Sequence, residues 1–316
     1  METRQENSRV AFKNALIDLA QENKNCVLVC SDTILVVKAG DFEKRFPERF
    51  IDVGISEQSA VDVSAGLASC GLIPFFVTYS GFITMRACEQ VRSFVAYPNL
   101  NVKFIGANGG MASGEREGVS HQFFEDIGIL RTFPNMTICV PSNAEQVKDA
   151  VNEVAKVKGP CFIRIGSGRD SVCDIPGQTA FQLGKAQIIK ENGTDVALFA
   201  MGFILPRVME ACEELKAEGI NATVVEVSTI KPLDVETIAK VCNKTKAVVT
   251  IEDHQVNGAL GSAVAEVIAE HAPARLKRIG LQDVFPESGM PDELLDKYKI
   301  AVIDIKEAAK NVIANK

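Results

Sequence analysis

The chain alternates short, continuously apolar runs with longer stretches whose apolar residues recur at helical spacing. Runs of the first kind read as strands covered on both faces: residues 26–30, 50–53, 74–78, 102–106, 137–140 and 161–165. Amphipathic segments at 57–70, 82–97, 122–131 and 143–158 lie between them and read as helices. The pattern breaks at 166–185, where Gly166, Gly168, Pro176, Gly177 and Gly184 cluster without periodicity. It then restarts, with strands expected at 196–201, 222–227 and 247–251 and helices at 205–218, 235–243 and 260–271. Such alternation predicts an α/β fold of two doubly wound domains with mostly parallel sheets. The expected boundaries are 1–170, a linker at 171–185, and 186–316. No internal repeat relates the two halves.

Composition adds little to this picture and excludes some partners. With 47% hydrophobic and 24% charged residues in 316, there is material for two cores. A formal charge of −7 without a basic run argues against nucleic acid and against an anionic membrane surface. No apolar run approaches the roughly 20 residues of a membrane span, and residues 1–7 are polar, so a cytoplasmic protein is expected. The nine cysteines are scattered through apolar runs, which predicts buried reduced thiols rather than disulfides. Three histidines and no ligand spacing leave no zinc site to expect.

Two segments carry candidate chemistry. In Phe50-Ile-Asp-Val-Gly54-Ile-Ser-Glu57-Gln58 an apolar strand turns at Gly54 and sets Glu57 at the head of a small-residue helix. A carboxylate there is favoured by the helix dipole alone, so a plain helix-start acid accounts for it as well as a functional one does. Next, Tyr79, Phe82 and Met85 recur every three residues where a strand enters a helix. They are either core residues or one wall suited to stacking on a flat heterocycle.

Together these segments resemble the pyrimidine-binding domain of transketolases. Other stretches agree in order. Gly114-Glu-Arg-Glu-Gly-Val-Ser-His121-Gln122 resembles the substrate-channel loop, and Pro141-Ser142 and Cys161-Phe-Ile-Arg164 fit the end of that domain. Ile230-Lys-Pro-Leu-Asp234 and Thr250-Ile-Glu-Asp-His254 resemble the carboxy-terminal domain. The resemblance implies a ketol transfer on thiamine diphosphate, with Glu57 and His121 catalytic. Glu57 would touch the aminopyrimidine, Phe82 and Tyr79 would stack on it, Met85 would soften the third wall position, and Asp32 would lie near the cofactor. Asn108 stands where typical members carry a substrate-contacting histidine. The loop is one residue longer than usual, adding Arg116 and placing Glu115 or Glu117 where an aspartate reads hydroxyls. His121, Asn108, Arg116 and Glu117 are thus the implied substrate residues. Arg169, or alternatively Arg164, would meet the anionic end through its planar fork.

The family holds the diphosphate and its ion with Gly-Asp-Gly and a later Asn, whereas Gly40-Asp41 is followed here by Phe42. The implied arrangement is an N-terminal partner subunit that carries the diphosphate-binding domain and most ligands to Mg2+ or Ca2+. Two copies of each chain would assemble as α2β2. No metal ligand is expected on this chain. The altered Asn108 and Arg116 loop suggests a less common anionic sugar. The rival readings are the beta subunit of a 2-oxo-acid dehydrogenase decarboxylase, a deoxyxylulose-phosphate-synthase-like enzyme, and a structural paralogue without activity.

Overall fold

A computed structural model describes residues 6–112, 117–167 and 175–316. Its strands are β1 (Cys26–Cys30), β2 (Phe50–Asp52), β3 (Ile73–Tyr79), β4 (Lys103–Ala107), β5 (Thr137–Cys139), β6 (Cys161–Arg164), β7 (Gln187–Glu191), β8 (Val196–Ala200), β9 (Ala222–Glu226), β10 (Thr229–Lys231), β11 (Ala247–Gln255) and β12 (Arg275–Leu281). They form two sheets, ordered β10-β5-β6-β4-β3-β1-β2 and β12-β11-β8-β9-β7. Each sheet is parallel except for one antiparallel edge strand, β10 in the first and β7 in the second. β1, β4, β6, β8 and β9 are buried along their whole length, which is why they read as unbroken apolar runs.

The two sheets do not keep to their own halves of the sequence. β10 follows β9 in the chain yet pairs with β5, so the C-terminal half contributes an edge to the first sheet. One apolar core runs through both, with Phe76 and Phe104 of the first sheet in the same cluster as Phe199 and Val248 of the second. The helices Ser8–Glu22 and Ala144–Lys156 cover the far face of the first sheet, and Leu205–Ala217 and Val302–Ala314 that of the second. The described part of the expected linker has no helix or strand, but it is packed in: Ile175 and Phe181 are buried.

The segment 82–97 departs from the expected regular helix. It winds in wide π turns at Phe82–Arg86 and Val91–Ala96, with only Cys88–Gln90 as α-helix between them. Such wide turns are frequent at functional sites. Residues 122–131 likewise give a helix only at Asp126–Arg131, because 122–125 run along the mouth of the first sheet instead.

Candidate active site

Four candidate residues follow the C-terminal ends of neighbouring parallel strands, where open α/β sheets bind their ligands. Asp32 follows β1, Glu57 follows β2, Tyr79 ends β3 and Asn108 follows β4. Asp52 ties the first two ends together, its Oδ1 accepting from the amides of Asp32 and Gly54, both at 2.9 Å. Gly54 has φ +71°, a left-handed turn that suits glycine. Ser56 closes that turn by donating to the Val53 carbonyl, and the helix Glu57–Ser69 begins.

Glu57 is only 3% exposed. Its Oε1 accepts from Arg86 Nη1 at 2.7 Å. The same guanidinium sits over Phe82, its Cζ 3.7 Å from the ring centroid. The π turn explains the placement. Ala87 N donates to Phe82 O across the wide turn, so the fourth residue on, Arg86, comes over Phe82 in place of the third, Met85. Met85 is exposed and carries its Cε towards Gly81. Arg86 is therefore a member of this site that period-three spacing concealed.

The wall itself joins two distant segments. Tyr79 and Phe82 meet edge to face, with centroids 5.4 Å apart. His121 sets its ring edge-on to both, 4.8 Å from Tyr79 and 5.4 Å from Phe82, and Phe123 stands 5.5 Å from Phe82. Gly81 makes room for Phe123, since a Cβ there would lie 2.0 Å from the ring. His121 Nδ1 is 2.9 Å from the Ser120 hydroxyl.

Asn108 is buried, with φ +56°, a backbone state that asparagine tolerates better than most residues. Its side-chain amide reaches Glu117 Oε2 at 3.4 Å, and its carbonyl accepts from Arg9 Nη2. Arg9 also donates to Val36 O and Gly166 O, pinning three loops around Asn108. Burial, then the charge of Glu117, push the Tyr79 hydroxyl above its ordinary pKa, with Arg9 opposing. Arg9 carried no signal in the sequence, since the groups it serves lie 27, 99 and 157 residues away.

Arg116, Arg169 and Glu115 lie outside the described residues. Arg164, the alternative anion ligand, faces inward. Its Nε pairs with Asp126 at 2.9 Å, and its Nη2 donates to Phe123 O and Asp253 O. Ser80, just past β3, completes the pair by donating to the same Asp126 oxygen. A cavity of about 440 Å³ borders this seam, lined by Gly109, Ala112, Arg164, Asp253, Arg207 and Met290 among others, but it includes neither Glu57 nor the aromatic wall.

Comparison with known proteins bears on this arrangement. Residues 5–168 match the family model for the transketolase pyrimidine-binding domain, and residues 184–305 that for the transketolase C-terminal domain. The chain belongs to the transketolase family. A putative transketolase C-terminal section from Methanocaldococcus jannaschii is 39% identical over 96% of this chain and 95% of its own length. The SqwH subunit of the 6-deoxy-6-sulfo-D-fructose transketolase of Clostridium sp. strain MSTE9 is 37% identical over 98% and 95%. A solved structure of a split gene transketolase, an inactive β4 tetramer, superposes with a TM-score of 0.89 at 39% identity, covering 97% of this chain and 98% of that one. Transketolases generally use thiamine diphosphate. Among the described residues no helix is long and apolar enough to cross a membrane.

Proposed function

We propose that this chain is the C-terminal subunit of a two-chain transketolase, moving a two-carbon ketol unit from an anionic ketose to an aldose. The observation that carries this reading is one buried carboxylate, Glu57, joined through Arg86 to an aromatic face that a histidine from another loop abuts. A flat aminopyrimidine fits such a place, with a ring to stack on and a shielded acid at its edge.

When bound, thiamine diphosphate supplies a nucleophilic carbon and an electron sink. Glu57 would hold a proton against the aminopyrimidine ring nitrogen, which is favourable where water is excluded. Phe82 and Tyr79 would carry the ring, with Met85 at its open side and Asp32 near the strand ends. The guanidinium of Arg86, half exposed, is the group that would leave the Phe82 face as the ring arrives. His121 would move protons at substrate hydroxyls, while Asn108 and Glu117 read their positions. Arg116 and Arg169 would meet the anionic end. The diphosphate and its Mg2+ or Ca2+ would be held mainly by an N-terminal subunit in an α2β2 assembly, because no Gly-Asp-Gly motif occurs in this sequence.

Relatives named for sulfofructose and for apulose 4-phosphate favour an unusual anionic sugar over the common pentose phosphates. The test is ketol transfer by the co-expressed pair of subunits on a panel of phosphorylated and sulfonated ketoses. A preference of at least roughly tenfold in kcat/KM for one such sugar over xylulose 5-phosphate is expected, about 1.4 kcal/mol in transition-state binding. Full activity on the pentose phosphate pair contradicts the sugar assignment, and no ketol transfer on any donor contradicts the enzyme assignment.

A further inference from the structure

The loop after β4 is held from the other domain. Asp253, near the end of β11, is half-buried and lines the cavity beside this seam. Its Oδ1 accepts from the amides of Met111 at 2.9 Å and Ala112 at 3.4 Å, and its Oδ2 lies 3.4 Å from the Ala112 amide. The intervening backbone is shaped to this carboxylate: Gly110 has φ +108°, and a Cβ there would lie 2.1 Å from Asp253 Oδ2.

The same strand end grips the second loop of the site. The Asp253 carbonyl accepts from Arg164 Nη2, which donates also to Phe123 O. Phe123 O receives the Gly110 amide at 2.8 Å, and Gln255 N donates to Phe124 O at 2.8 Å. The segments 108–112 and 121–124 are thus stitched to each other and to β11. The first begins with Asn108, and the second carries His121 and the Phe123 ring of the wall.

Even half-buried, a carboxylate held on two amides loses part of its hydration, and an apolar side chain would fill the same space at less cost. What the carboxylate adds is a fixed backbone position. We propose that Asp253 is a positioning residue: from the C-terminal domain it sets the loop bearing Asn108 in register with His121. The inference rests on the transketolase reading for its meaning, but the clamp itself is testable in the chain alone.

The experiment has two arms. In the isolated chain, hydrogen–deuterium exchange is followed in peptides spanning 109–112 for wild type, Asp253→Ala and Asp253→Asn. Exchange should rise roughly tenfold or more in Asp253→Ala, with β3 and β4 still protected, and stay near wild type in Asp253→Asn, whose Oδ1 can still accept both amides. In the two-chain enzyme, Asp253→Ala should lose roughly 10- to 100-fold in kcat/KM for the donor sugar, with thiamine diphosphate affinity unchanged and Asp253→Asn largely restoring activity. Asp253→Leu fills the space without an acceptor and carries the same test should Asp253→Ala not fold. Unchanged exchange at 109–112 and an unchanged donor KM, with only the melting temperature lowered, would overturn the proposal. If the wild-type pair binds no thiamine diphosphate, the functional reading fails, while the exchange arm still decides the clamp.

Discussion

At the residue scale, Arg86 is the group whose behaviour says most. It spans the carboxylate and the ring that the family's cofactor would use, through one hydrogen bond and one cation–π contact. Each is worth on the order of 1 kcal/mol at a half-exposed position. Removing the guanidinium in Arg86→Met should free the Phe82 face. Titration of the two-chain enzyme is expected to show thiamine diphosphate bound roughly fivefold more tightly, the equivalent of about 1 kcal/mol. The isolated chain should melt a few degrees lower, since Glu57 loses its partner. Weaker binding would mean instead that Arg86 itself contacts the cofactor. Gly81 offers a second test. Gly81→Ala would drive a methyl into the Phe123 ring, at a cost of roughly 1–3 kcal/mol, read by thermal melting. A variant as stable as wild type would show that the wall tolerates rearrangement.

At the element scale, the end of β11 carries three ionisable side chains in a row, Glu252 and His254 buried and Asp253 between them half-buried. His254 Nδ1 hydrogen-bonds the Gln255 carbonyl and its Nε2 accepts from Gly128 N, so the neutral ring is the one that fits. Burial first, with Arg164 adding to it and Asp126 opposing, lowers its pKa to about 4. Glu252 shows the opposite shift. Burial raises its pKa to about 8 against the amides of Leu260 and Gly261. The linkage signs differ accordingly. Between pH 6.5 and about 4 the unfolded chain takes up a proton at position 254 that the folded chain refuses, so this histidine costs stability as pH falls. Comparing wild type with His254→Gln by denaturant unfolding should show the wild type losing roughly 1.4 kcal/mol per pH unit relative to the variant in that window. Parallel pH curves for the two would refute the neutral buried ring.

Much of this level was legible in the sequence, and the exceptions have physical reasons. β1, β4 and β6 showed as apolar runs because helices cover both faces of the first sheet. β10 and β12 did not. β10 is three residues long and joins the other half's sheet, and β12 begins with exposed positions that break the apolar pattern. Glu57, Tyr79, Phe82 and His121 could be read as a set only through the ordered resemblance to transketolases, because each motif alone fits a plain structural role. Arg9, Arg86 and Asp253 could not, because each acts through a contact that only the folded chain creates. The π turn brings the fourth residue over Phe82 in place of the third, which hid Arg86 behind the three-residue spacing of 79, 82 and 85, and Asp253 sits over 140 residues from the amides it holds.

For the whole molecule, the two-chain proposal requires a surface beside the site for the second subunit. Ile55, Phe94 and Tyr97 are exposed apolar residues around the helix Glu57–Ser69 and the π-helical segment beside it. Large apolar side chains left open beside a candidate site are where the proposed second subunit would dock. Phe94→Glu is expected to lower the fraction of chain that co-purifies with the N-terminal subunit, measured by size-exclusion chromatography with light scattering, without changing the fold of the chain alone. Undiminished assembly would place the interface elsewhere. The central claim, however, concerns Glu57. The most direct measurement is exchange of the thiazolium carbon-bound proton of thiamine diphosphate in the two-chain enzyme, followed by quenched-flow proton NMR. Wild type should exchange it far faster than the free cofactor, and Glu57→Gln should lose roughly 100- to 10,000-fold of that rate while still assembling and binding the cofactor. Exchange as fast in Glu57→Gln as in wild type would contradict the account.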